Sequence, residues 1–165
     1  MPSVLAGRFL RLLGQRALVV VQMQRMKLSG HYAGEVVPYQ RMTRGGRFTP
    51  RAQRYHASQN RLRAEMQRAV ATDWPGRAWA ILRPQGAFFG TPYSFCLTLY
   101  VPATKKGAIP RNKGDVDNYA KAWLDAAQHA CIVQGDDLHW LRHLEVRVVL
   151  AESWGFGWSF EEWTQ

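Results

Sequence analysis

The chain has 165 residues and a formal net charge of +10, from 22 Lys and Arg against 12 Asp and Glu. That length suits one domain with a real hydrophobic core, and 47% hydrophobic with 12% aromatic residues excludes wholesale disorder. Cys96 and Cys131 lack the CxxC spacing of a thiolate zinc site or a stapled fold, and no apolar run approaches the roughly 20 residues that span a bilayer.

Taken in chain order, residues 1–15 pattern weakly, and Ala17–Val21 is a short strand-like run within a basic N-terminus. It is too short for a signal-peptide core, so a cytoplasmic protein with two reduced, buried cysteines is expected. Met26-Lys27-Leu28 continues the strand-like material, and Gly30, Gly34, Pro38, Gly45, Gly46 and Pro50 then read as turns and loop. Residues 51–70 read as an amphipathic helix with Tyr55, Leu62, Met66 and Ala69 on one side. Arg47, Arg51, Arg54, Arg61 and Arg68 form a second stripe, either a phosphate-facing surface or a solvated face.

Tyr93–Val101 alternates as a strand, with Phe95, Leu97, Leu99 and Val101 on one face. Residues 102–114 read as a flexible basic loop. Residues 118–130 read as a helix with Tyr119, Trp123, Ala126, Ala127 and Ala130 on its apolar side. Residues 143–150 alternate again, with Leu144, Val146, Val148 and Leu150 expected inward, and the end of the chain is aromatic and acidic. This order predicts an α+β fold: one compact domain, a mixed β-sheet packed with a few helices.

Charge is segregated along the chain. Residues 1–113 hold 19 Lys and Arg against Glu35, Glu65 and Asp73, a balance of +16; residues 114–165 hold three bases against nine acids, a balance of −6. A basic, Arg-rich arm beside an acidic island suggests a polyanion held by the first and a metal held by the second.

The acidic island centres on Asp115 to Asp137. Asp115 and Asp117 lie two apart, so on an extended segment both carboxylates face one way. Lys121 follows Asp117 by four residues, one helical turn. Asp136 and Asp137 follow a turn at Gly135. Carboxylate oxygens with water and phosphate are hard-cation ligands, suited to Mg²⁺ or Mn²⁺. Piece by piece, Asp117 and Asn118 also suit a helix cap, Gly135-Asp136-Asp137 a turn, and Asp125 an ion pair with Lys121. An EF-hand fails, because Tyr119, Ala120 and Ala126 fall on its key positions. His139 and His143 have i,i+4 spacing, but without the glutamate of HExxH no zinc site is expected.

The string from Lys113 through Gly114, Asp115, Asp117, Asn118, Lys121 and Asp125, followed by Gly135-Asp136-Asp137, resembles the signature of RusA-like Holliday-junction resolvases. Upstream, residues 34–55 resemble that family's Pro- and Arg-rich loop leading into a Tyr-bearing helix. The likeness covers roughly residues 26–150. It implies a RusA-like nuclease domain over residues 23–152, an N-terminal extension over 1–22, and an aromatic, acidic C-terminal tail over 153–165. It also implies a homodimeric, Mg²⁺-dependent endonuclease of phage or prophage type. Such an enzyme nicks two opposing strands of a four-way DNA junction symmetrically, leaving 5′-phosphate and 3′-hydroxyl ends. Carried over, Asp115, Asp117 and Asp137 are catalytic metal ligands, Lys121 is an essential catalytic residue, Asp136 is a further metal candidate and Asp125 is structural. One departure stands out: Gly114 occupies the place where the family commonly has a basic residue.

In this reading Asp115, Asp117 and Asp137 converge on the ion. Arg41, Arg44, Arg47, Arg51, Arg54, Lys105, Lys106, Arg111 and Lys113 hold the DNA backbone by counterion release. A helix over 118–130 runs about 20 Å. Residues 131–137 extended span about 23 Å, so the return to Asp115 is only just possible within one chain. Completion of the site across a dimer is the alternative. Two rival functions use the same residues or their neighbours: a non-catalytic basic DNA-binding protein, and a less selective flap or fork nuclease. A third reading is an interaction module docking through Trp154, Phe156, Trp158, Phe160 and Trp163.

Overall fold

Period-two patterning builds the sheet. Along Tyr93–Pro102 (β2), buried and half-buried residues alternate without a break, which fixes one face against a hydrophobic layer. The computed structural model describes residues 25–39, 48–76, 87–110 and 114–164. Around β2 lie β1 (Lys27–Ala33), α1 (Pro50–Asp73), α2 (Val116–His129), β3 (Leu141–Ala151) and β4 (Gly155–Glu162). The strands form one mixed sheet in the order β1-β4-β2-β3. β4 is antiparallel to both β1 and β2, while β2 and β3 are parallel. Parallel neighbours need a long crossover, and α2 lies in it. The fold is therefore α+β, a mixed four-stranded sheet with two helices.

Each helix has identifiable ends. Thr49 caps α1 by accepting from the Ala52 N–H at 3.3 Å, and Pro50 follows at the first turn, where a missing N–H costs nothing. α2 stops one residue short of the predicted end. The N–H groups of Cys131 and Ile132 turn back to the carbonyls of Gln128 and Ala127, at 3.0 and 2.9 Å, with Cys131 at φ 57°. This is a Schellman closure with cysteine where glycine is usual. Cys96 and Cys131 are both unpaired thiols and only half-buried, against the expectation of full burial.

The core lies between the helices and one face of the sheet. Trp123 of α2 is fully buried and meets Phe156 and Trp158 of β4 at ring separations of 6.0 and 5.7 Å. Phe95 stacks on Phe160 at 4.5 Å across the β2–β4 pair. α1 packs on α2 and β1.

Three expectations change here. Residues 153–165 are not a tail outside the domain: residues 155–162 form an inner strand, hydrogen-bonded on both sides. Small Gly155, Gly157 and Ser159 alternate with buried Phe156, Trp158 and Phe160, which is strand patterning with aromatic residues on the core face. Gly30 does not break β1 but sits opposite Trp158, where an added Cβ would fall 2.7 Å from the indole Cζ2. Leu144, Val148 and Leu150 face the helix side yet stay 45%, 36% and 47% exposed, because β3 is an edge strand among the described residues and the helices pack toward β1 and β4. Residues 1–22, the expected extension, lie outside the described residues. No helix among the described residues is long and apolar enough to cross a membrane.

Candidate active site

Asp115 occupies the N-cap position of α2, with φ −82° and ψ 150°. Its backbone carbonyl accepts from Asn118 and Tyr119, but its carboxylate makes no capping hydrogen bond. The side chain is exposed and not spent on the helix, as is Asp117 in the first turn, where unpaired N–H groups favour an anion. Gly114, just before them, has φ +99° and lies against Pro38. A side chain there would put its Cβ 3.0 Å from Pro38 Cγ. The glycine at this position thus has a local cause: this backbone is one that L residues rarely adopt.

The segment around Pro38 is also tied down. The Tyr39 N–H donates to the Asn118 carbonyl at 2.8 Å, and the Val37 N–H donates to Ser58 Oγ at 3.1 Å. One short stretch therefore clips the start of α2 to the middle of α1. A second clip lies about two turns further along α2, where the Tyr55 hydroxyl donates to Asp125 Oδ2 at 3.2 Å. Gln59 adds a buried bond from its amide to the Ala122 carbonyl at 2.9 Å.

Lys121 joins the two halves of the acidic motif. Its ammonium pairs with Asp125 Oδ1 at 2.8 Å and with Asp136 Oδ2. Partial burial works to lower the Lys121 pKa, but the two carboxylates outweigh it and hold the ammonium above its usual range. Burial likewise opposes the charged form of Asp136, and the Lys121 ammonium overrides it to keep the carboxyl below its usual range. The turn that carries Asp136 is held from the sheet: the Tyr93 hydroxyl donates to the Gly135 carbonyl at 2.7 Å. Burial raises the Tyr93 phenol, and the nearby Asp136 and Asp137 charges raise it further. Asp137 is exposed; its Oδ1 accepts from the His139 N–H at 2.8 Å, and its carbonyl accepts from Trp140 and Leu141.

The structure thus brings Lys121, Asp125 and Asp136 into contact, and the chain returns from α2 to Lys121 within one subunit. The carboxylate oxygens of Asp115, Asp117 and Asp137 do not gather within 4.8 Å of one another. The one trio of possible ligand atoms that close among the described residues is Cys96, His143 and Glu145, on the sheet face away from the helices. There Glu145 is already held by Arg147 at 2.6 Å. His139 and His143 do not share a helix: the first lies in a turn and the second in β3.

Of the expected DNA contacts, Arg51 and Arg54 are exposed on the first turns of α1, and Lys105 and Lys106 are exposed in a turn after β2. Arg41, Arg44, Arg47, Arg111 and Lys113 lie outside the described residues. Sequence reasoning did not single out the groove between the helices. It has a volume of about 540 Å³ and is lined by Tyr39, Tyr55, His56, Arg63, Asp125 and His129, with Gln59 and Asn60. Its signal in the sequence was Tyr55, Gln59 and Arg63 at four-residue intervals, a helix face distinct from the arginine stripe.

No protein-family model matches the chain, and no curated protein matches it significantly.

Proposed function

We propose that the chain is a Mg²⁺-dependent, structure-specific endodeoxyribonuclease of the RusA-like kind, which acts as a homodimer on four-way DNA junctions. The observation that supports this reading best is the Lys121 bridge, which draws the Asp136–Asp137 turn onto the helix that begins at Asp115. A turn and a cap of purely local purpose need no such link.

The donor chemistry suits Mg²⁺: exposed carboxylates at Asp115, Asp117 and Asp137 offer hard oxygen ligands. Mg²⁺ takes one or two carboxylates and fills the rest of its shell with water and phosphate, so a three-carboxylate cage is not required. When bound, the ion supplies a polarised phosphodiester and a water of lowered pKa. The protein's own part is electrostatic. Lys121 keeps its proton and offers positive charge to a phosphate that accumulates negative charge. Arg51, Arg54, Lys105 and Lys106 hold the strand backbone, so affinity falls steeply with salt. Asp125, held by both Tyr55 and Lys121, fixes where the ammonium sits.

The test is a labelled synthetic four-way junction incubated with Mg²⁺, against Ca²⁺ and a linear duplex of equal length. Paired nicks in the junction with Mg²⁺ alone are expected. Asp117→Asn should abolish nicking and spare binding, since loss of a negative charge does not weaken phosphate contacts. Mg²⁺-independent binding without nicks would replace this reading with a non-catalytic DNA-binding protein. Equal cutting of flaps and forks would replace it with a less selective nuclease.

A further inference from the structure

The outer strand β3 carries an unusual surface. It is 11 residues long, and among the described residues no strand lies beside one row of its backbone N–H and C=O groups. Natural proteins shorten, charge or cover such edges, because a long apolar one pairs with another chain. β3 carries Arg142, Glu145 and Arg147, yet it is long, and from Leu144 to Leu150 its helix-side face is apolar and partly open. Leu144, Val148 and Leu150 are 36–47% exposed, whereas their neighbours Phe95, Leu99 and Val101 on β2 are at most 4% exposed.

We propose that this edge is the contact surface for a second copy of the chain, with two β3 strands paired antiparallel about a two-fold axis at Val146. The pattern of the strand selects both partner and register. About Val146, Leu144 meets the partner's Val148 on the helix-side face, and Val146 meets its own counterpart. On the opposite face Glu145 meets the partner's Arg147, and by symmetry the same pairs form twice. Moving the axis one residue either way sets Glu145 against its own copy, or Arg147 against its own. Charge therefore singles out one register, and that register also sets Leu144 against Val148 and Val146 against itself. Glu145 and Arg147 already lie side by side, paired at 2.6 Å, so the second copy meets them as a preassembled dipole. The result is a continuous eight-stranded sheet with the helices of both subunits on one side. This inference specifies the partner surface of the proposed homodimer, but it does not require the nuclease reading: the edge would associate whatever the acidic motif does.

Mild oxidation of Val146→Cys tests the register. A residue on the axis faces itself, with Cβ atoms about 5 Å apart, close to the separation a disulfide takes up. The expected product is a 146–146 linked dimer, identified by peptide mapping so that Cys96 and Cys131 are told apart. Leu144→Cys should not link to itself, because the two copies lie about 14 Å apart along the strands. Charge reversal gives a second readout by sedimentation. Glu145→Arg or Arg147→Glu should each weaken the dimer about tenfold. The double reversal E145R/R147E should restore it, with circular dichroism showing all variants folded. A monomer at micromolar concentration would overturn the proposal, as would a dimer that neither reversal weakens or self-linking of Leu144→Cys. If the dimer behaves as expected but leaves junctions uncut, the nuclease reading fails and this one stands.

Discussion

Gly114 gives the sharpest test of how the acidic motif is positioned. Its φ of +99° and its contact with Pro38 are separate constraints, and three glycines separate them. Gly114→Ala meets both: a left-handed backbone, costing about 1–3 kcal/mol, and a Cβ at 3.0 Å from Pro38 Cγ. Crowding of that kind adds about 1–3 kcal/mol. Gly107→Ala meets only the first, since φ there is +73° and the Cβ position has open space around it. Gly76→Ala meets neither. Each kcal/mol shifts the melting temperature of a domain this size by about 2–4 °C. Gly114→Ala should therefore melt roughly 4–24 °C lower, Gly107→Ala roughly 2–12 °C lower, and Gly76→Ala should be unchanged or slightly raised. Calorimetry of the three variants in one buffer reads the series. Equal melting of the Gly114 and Gly107 variants would remove the Pro38 contact from the argument. A Gly114 variant that melts like the unaltered chain would refute the backbone conformation assigned ahead of Asp115.

Two further predictions probe the ion pairs and the sheet. Asp136 is held below its ordinary 3.8, so the unfolded chain binds its proton more readily; the stabilisation is present above the ordinary value and is lost as pH falls through the lower, folded one. Thermal melts stepped from about pH 5 to pH 2 should fall less steeply for Asp136→Asn than for the unaltered chain, by under about 1 kcal/mol because the pair is partly exposed; an identical acid slope would dissolve the pairing with Lys121. Gly30→Ala should cost about 1–3 kcal/mol, although alanine has the better strand propensity, because its Cβ falls 2.7 Å from Trp158 Cζ2. In a double-mutant cycle with Trp158→Leu, most of that cost should vanish, and simple additivity would show that Trp158 is not what excludes the side chain.

What could be read from the sequence follows the range over which each signal acts. β2 and both helices were legible because their patterns repeat within a few residues, and the structure reproduces them to within a few positions. β4 was missed although its alternation of small and aromatic residues is regular, because a terminal segment rich in glycine and tryptophan reads equally as a tail. β3 was found as a strand, but its apolar face was assigned inward: alternation reports which residues share a face, not whether anything covers it. The acidic residues were legible as a motif, but of their contacts only the Lys121–Asp125 pair was. Tyr55 and Asp125 lie 70 residues apart, and Lys121 and Asp136 lie 15 apart across a helix end and a turn. The i,i+4 spacing forecasts the Lys121–Asp125 pair, but no local rule forecasts that Lys121 also turns to Asp136.

That choice of partners ties the two charged halves of the chain together. Left alone, the acids of the second half would repel one another and any phosphate that approached. Lys121 compensates two of them, and α1 brings the positive charge of the first half alongside: Arg51 and Arg54 sit within a turn of Tyr55, whose hydroxyl is bonded to Asp125. Asp115 and Asp117 remain exposed at the end of α2, where the helix dipole favours negative charge and where neither is held by the Lys121 bridge. The segregation of charge along the sequence thus becomes a boundary in space between a cationic helix and an anionic helix start. Under the proposed function, a polyanion drawn to the first would pass the carboxylates of the second, with a divalent cation as the species that lets both sit together.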